Sequence, residues 1–404
     1  MREPFRGQGV IRFEIPDDAL AADHRARVLW RVVETLDLSR FTEGQRAVDG
    51  HAGRPVTSTR MLLTLWLYAI SIGVGSAREI ARRTRSDDAF RWIVGDESVS
   101  HATLSRFRIG YGEALDRLFT DVLGVLLHKS LLTLDLVAQD GTRVRANASA
   151  PSFRREASLE ACREQAALHM KAVLAELDDP EPTPGEKAAR VAAARDYERR
   201  VEEAIAVVKE LRSQGKDEAR ASTTDADARV MKMADGGYRP GYNIQMATAG
   251  SALGGPRTVV GVNVTNIGSD MGSIMPMLEQ IERRTGELPS VLLADANHAK
   301  HDCIRACAER GIEALIAVPA RSENAGANAD RGLAVEAWRE RMRTDEAKET
   351  YRARAGLCEL SNAHLKQHQR VAQVLVRGIE KVMCIALLAA LSQNILQHAA
   401  NLLS

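Results

Sequence analysis

From residue 131 onward the chain alternates short apolar runs with helical segments, and that order limits its fold more than any other feature. The runs are residues 131–140, 242–248, 258–265, 291–295 and 314–319, with helical patterns at about 271–285 and 301–310. Strand, strand, strand, helix, strand, helix, strand reads as an α/β sheet with helical cover. The first run ends in Asp140 and the fourth in Asp295. Open α/β sheets hold their ligands at the downstream ends of strands, so both carboxylates stand where chemistry is expected.

The chain before the sheet has another texture. Residues 17 to about 125 read as mainly helical, and the run 60–70 is too apolar for a surface helix. Three short helices follow: one after a Ser76 N-cap, one over 87–94 ended by Gly95, and one over 101–108 started by Ser98 or Ser100. Short helices with tight connections fit a helix-turn-helix, whose last member would carry Arg106 and Arg108 to DNA. The plainer alternative is a helical bundle with a solvated basic face. Residues 151–222, rich in Ala, Glu, Arg and Lys and broken at 178–185, read as an antiparallel helical hairpin inserted in the sheet. The expected division is a helical DNA-binding domain at 1–125, a catalytic domain at 126–150 and 223–404, and the hairpin at 151–222. The polar stretch 321–332 reads as a mobile loop.

Composition excludes some functions. Lys and Arg total 55 against 54 Asp and Glu, a net charge of +1, so DNA affinity must come from local clusters of cations. Aromatic residues are 4% of the chain, too few for a base-stacking platform. Five cysteines without disulfide-scaffold spacing, and no secretory signal, imply a reducing cytoplasm. The most apolar stretches, 61–74 and 382–395, fall short of the roughly 18 to 20 residues of a membrane span and read as buried helices.

Among 54 acidic residues a triple means nothing without position. Asp140 and Asp295 at strand ends, with Glu359 on a C-terminal helical segment, could meet at one sheet edge. Carboxylates so close repel unless a cation intervenes, and hard oxygen donors suit Mg²⁺ or Mn²⁺. Two such ions activate an attacking oxygen and stabilise the leaving one, which is phosphodiester chemistry. The plainer alternative is that Asp140 caps a turn with Gly141, and Asp135 on the same run competes with it. At about 100° per residue, Tyr351, Arg354, Glu359, Asn362 and Lys366 share one helical face within about 140°.

Several ordered blocks then carry a resemblance: residues 140–149 (Asp-Gly-Thr-Arg-Val-Arg-Ala-Asn-Ala-Ser), 222–233, 236–245, 262–270, 293–296 and 376–382. Together they resemble the DDE transposases of bacterial insertion sequences, in particular the eleven-eighty-two group. The resemblance implies an RNase H-like catalytic core with Asp140, Asp295 and Glu359 as metal-binding catalytic triad, and it selects Asp140 over Asp135. It also implies that Tyr351, Arg354, Glu359 and Lys366 form the Tyr-Arg-Glu-Lys signature, whose cations contact DNA. The implied partners are double-stranded DNA, as terminal inverted repeats and target, and a second copy of the chain on that DNA. Two Mg²⁺ or Mn²⁺ ions, a nucleoid-associated cytoplasmic location and no membrane complete the expectation. Two features depart from the family. Four residues separate Arg354 from Glu359 where three are common, and Ala296, Asn297 and His298 follow Asp295 where a glycine and an aromatic are frequent.

Other constellations carry less. His298, His301, Cys303 and Cys307 invite zinc, but their spacing matches no common module. Residues 236–241 lack the Lys-Ser/Thr ending of a phosphate loop. Arg143 and Arg145 suit a DNA backbone or a solvated strand edge equally. The rival functions are a decayed or domesticated transposase that only binds DNA, favoured by the altered loop after Asp295, and an RNase H-like nuclease without strand transfer.

Overall fold

The computed structural model describes residues 15–43, 57–95, 97–176, 183–319 and 332–403. The expected polar loop lies outside the described residues up to 331, as does most of the break at 178–185.

The N-terminal region is helical: α1 (Arg25–Thr35), α2 (Thr59–Ser71), α3 (Ala77–Arg83), α4 (Asp88–Val94), α5 (His101–Gly110) and α6 (Gly112–His128). Side chains start the short helices as the sequence indicates. Ser76 accepts from Glu79 N, Asp87 from Ala89 N and Phe90 N, and Ser100 from Thr103 N. Residues 61–71 of α2 are all buried, so α2 is a core helix. The expected boundary at residue 125 falls inside α6, which runs on to His128.

The sheet follows as β1 (Leu136–Arg145), interrupted by an insertion, then β4 (Arg229–Lys232), β5 (Tyr238–Ala249), β6 (Thr258–Thr265), β7 (Val291–Ala294) and β8 (Glu313–Ile316). Its order is β4-β5-β1-β7-β8, with β6 also paired to β5. β1 runs antiparallel to β5 and parallel to β7, and β7 parallel to β8. Helices α9 (Ile274–Thr285), α10 (His301–Glu309), α11 (Leu333–Arg341) and α12 (Asp345–Arg354) connect and cover it; after a further turn, α13 (Leu360–Ala363) and α14 (Ile379–Leu402) end the chain.

One apolar core runs from α1 and α2 through α14 to β5, β6 and α9, so the N-terminal helices and the sheet share an interior. Among the described residues α14 alone is long and apolar enough to cross a membrane; it packs instead against α1, α2, α5, α6 and β6. Asn394 of α14 accepts from Val259 N at 2.9 Å and donates to Val259 O at 2.7 Å, holding the outer side of β6.

The insertion is a helical hairpin, α7 (Glu156–Ala175) and α8 (Pro184–Ser213), closed at its base by the antiparallel strands β2 (Phe153–Arg154) and β3 (Ala221–Ser222). It has a small core of its own around Leu159, Val201, Ile205 and Val208. Thr183 and Glu186 form a capping box at the start of α8. Arg199 bridges Asp196 and Glu203 along its exposed face.

Candidate active site at the sheet edge

Asp140 is not at a strand end. β1 begins at Leu136, later than the apolar run, and continues past Asp140 because β5 pairs with it as far as Arg145↔Gly241. What ends near Asp140 is the parallel neighbour. The last registered pair of β1 and β7 is Ala138↔Leu293, so Asp140 and Asp295 each lie two residues beyond it, level with one another. Side chains alternate along a strand, which puts both carboxylates on the face that carries Leu136, Ala138 and Leu293.

That face is covered by a helical stretch from α12 through α13 to His368, in which two π turns, Ala355–Glu359 and His364–His368, flank α13. Leu357 and Cys358 press it onto Leu136, Ala138 and Leu293. Docked this way, the helix brings four polar side chains to the strand ends. Tyr351 donates its hydroxyl to Ala294 O at 3.2 Å. Arg354, 15% exposed, lies 3.9 Å from Asp140 Oδ2 and 3.3 Å from Glu359 Oε1. Asn362 donates to Asp140 Oδ2 at 3.0 Å, while its own Oδ1 is buried with no partner among the described residues. Lys366 is half-buried; burial pushes its ammonium pKa down, and the charge of Asp140 opposes that.

The two aspartates titrate apart. Burial pushes Asp140 up, opposed by Arg354 and reinforced by the charge of Asp295. Burial also acts to raise Asp295, but the His298 hydrogen bond and charge, with Arg354 and the Asn297 N–H, outweigh it and leave Asp295 below its ordinary value. Asn297 N donates to Asp295 Oδ1 at 2.9 Å, and Asn297 Nδ2 to Oδ2 at 2.9 Å. His298, fully buried, places Nδ1 2.7 Å from Oδ1. The turn after Asp295 is therefore a clamp on its carboxylate.

Behind the clamp lies a buried polar group of Gln139, Asn243, Gln245 and Asp270 that the sequence did not announce. Asp270 accepts from Asn243 Nδ2 and Gln245 Nε2, with Arg143 3.8 Å away. Gly141 makes room for it: a Cβ there would stand 2.1 Å from both Asp270 Oδ1 and Gln245 Nε2.

Not every expected residue joins the site. Glu359 has a side chain 62% exposed and turned to Arg354, and among the described residues no three His, Cys, Asp or Glu side chains stand together as a metal cluster. The oxygen donors near Asp140 nevertheless fit a hard divalent ion: two level carboxylates and the orphaned Asn362 Oδ1. Arg106 is exposed on α5, as a DNA contact needs. Arg108, expected near DNA, is 6% exposed, stacks over Trp66 at 4.8 Å and donates to Gly75 O at 2.8 Å, so it holds the helices together. Cys303 and Cys307 are buried in the apolar core, where burial raises both thiols, Cys307 to about 11; they pack there instead of facing His298 as ligands.

Two family models match the sequence. Residues 14–109 match the transposase domain DUF772, and residues 218–395 match the transposase DDE domain. The chain belongs to the DDE transposases of insertion sequences. No curated protein and no solved structure matches it. A DDE domain implies an RNase H-like fold, and the transposase has the mixed sheet with helical cover and the helical N-terminal region that go with it. Asp295 and the helix over it lie inside the DDE match; Asp140 precedes the match and is tied to it through the β1–β7 register.

Proposed function

We propose that this transposase cuts and joins the ends of its element at Asp140, Asp295 and Glu359. The observation that carries the reading is the level placement of Asp140 and Asp295 on adjacent parallel strands, under a helix that presents Arg354, Asn362 and Lys366 to them. The departure in spacing supports it too. The four residues between Arg354 and Glu359 belong to a π turn, which closes i→i+5 and takes one residue more than an α turn. The extra residue is absorbed within the helix, and Asn362 and Lys366 still face Asp140. π turns of this kind recur at functional sites.

Asp140, Asp295 and Glu359 would hold Mg²⁺ or Mn²⁺, with Glu359 exchanging Arg354 for the ion. A pair of such ions supplies an activated attacking oxygen and stabilises the leaving one. Arg354 holds charge beside Asp140 until then, and with Lys366 it is placed to bind the phosphate next to the cut. Tyr351, hydrogen-bonded to Ala294 O, fixes the helix at the strand end before Asp295. Exposed Arg106 on α5 contacts duplex DNA at the inverted repeats. Two copies acting together follow from the need to hold two element ends.

The test is incubation of the purified protein with labelled inverted-repeat DNA and Mg²⁺. Nicking and joined target products are expected from the natural protein and neither from Asp295→Ala. Equal nicking by Asp295→Ala would sink the reading, and cleavage without joined products would make the protein a nuclease.

A further inference from the structure

We infer that His298 is a positioning residue: it sets the Asp295 carboxylate for the metal ion. The inference rests on the reading of Asp295 as a metal ligand.

The geometry has three parts. His298 is fully buried beside a carboxylate that is not, so the ring is fixed and the carboxylate remains reachable. Facing a carboxylate oxygen at 2.7 Å, Nδ1 carries the proton and donates it. The far nitrogen, Nε2, faces Gln245 Oε1 at 3.5 Å. Gln245 cannot turn its amide over, because its Nε2 donates to Asp270 and its Oε1 accepts from Gln139 Nε2 at 3.3 Å. With the proton on Nδ1, Nε2 and Gln245 Oε1 are both acceptors, so Gln245 lies behind the ring without bonding it, and the ring's bond is the one to Asp295 in front.

The consequence lies in the lone pairs. Oδ1 already accepts from Asn297 N and His298 Nδ1, while among the described residues Oδ2 accepts from Asn297 Nδ2 alone. The clamp therefore leaves Oδ2 as the freer oxygen and stops the carboxylate from rotating. Partners behind a ligand commonly govern metal affinity by about 10- to 100-fold. The residues that depart from the family after Asp295 are the ones that build this device.

The experiment is Mn²⁺ binding to the full-length protein, read from the paramagnetic resonance signal of free Mn²⁺, with thermal melting as a check of folding. His298→Leu keeps the bulk and loses the donor; His298→Asn returns an N–H donor near Nδ1. The expected result is Mn²⁺ binding about 10- to 100-fold weaker in His298→Leu, largely recovered in His298→Asn, with both variants folded. Unchanged binding in His298→Leu overturns the inference. So does an equal loss in both variants, which would make the ring mere packing. Asp295→Ala separates the two levels. If it binds Mn²⁺ as the natural protein does, the metal reading of Asp295 fails and the inference with it. If it loses binding while His298→Leu keeps it, the positioning role alone falls.

Discussion

Gly141→Ala adds one methyl group beside the buried amide and carboxylate network, and its cost can be worked from the geometry. The backbone at Gly141 is ordinary, so space alone excludes a side chain. The new Cβ would stand 2.1 Å from Asp270 Oδ1 and Gln245 Nε2 and 2.8 Å from Asn243 Oδ1. All three partners are at most 5% exposed. Clearing the methyl means either parting Gln245 from Asp270, at about 1–3 kcal/mol for a buried group left unpaired, or spreading β1 from β5, at about 1–3 kcal/mol for overpacking. The stiffer unfolded chain returns about 0.4–1 kcal/mol. With both costs partly incurred, a net loss of about 2–4 kcal/mol is expected, roughly 30- to 700-fold in the folding equilibrium. Gly124 is the control, since it is exposed in the middle of α6 with nothing within 4 Å of an added Cβ. There the same substitution should stabilise by about 0.5–1 kcal/mol. Urea denaturation followed by circular dichroism reads both. A Gly141→Ala midpoint at or above that of the natural protein would refute the reasoning.

Two further outcomes follow from residues outside the carboxylate site. Arg106→Ala should weaken DNA binding across sequences and lower the salt slope by about 1, whereas Arg108→Met should lower the melting temperature and leave that slope unchanged, as gel shifts at several salt concentrations would show. His398 is buried against Thr258, and burial holds its pKa below the ordinary 6.5. The unfolded chain therefore takes up a proton first as pH falls, so stability present above about 6.5 is lost toward the folded pKa. His398→Gln keeps a polar partner for Thr258 and should flatten the stability profile as pH falls below about 6.5; an unchanged slope in urea midpoints would count against it.

The sheet was legible where strands are continuously apolar: β6 and β7 begin where the apolar runs do. Asp140 was misplaced because a strand's end is set by its partners. After Asp140 the chain alternates, with Thr142 and Val144 buried and Arg145 exposed, which is the pattern of a half-buried strand. A search for unbroken apolar runs passes over it. Arg108 carried a readable signal: it falls four residues after Leu104 and one after Phe107, on the face of α5 that is buried. The polar array on the covering helix was found with a uniform 100° per residue, and the extra residue between Arg354 and Glu359 was the one local mark of the first π turn that seats it. His298 was read as a departure from the family; an Asp-x-x-His spacing entering a tight turn was the available sign of a bonded pair.

The clasp of Asn394 on Val259 bears on how copies of this protein can meet. An outer strand with free N–H and C=O groups invites another chain to add to the sheet. Here the Asn394 amide occupies both groups of Val259, and at the far side of the sheet the Trp338 indole donates to Ile316 O of β8. Side chains from helices thus stand where a neighbour's backbone would have to bind. On the proposed function, two copies brought together on DNA would meet through helical faces or loops and could part again once the joined DNA is released.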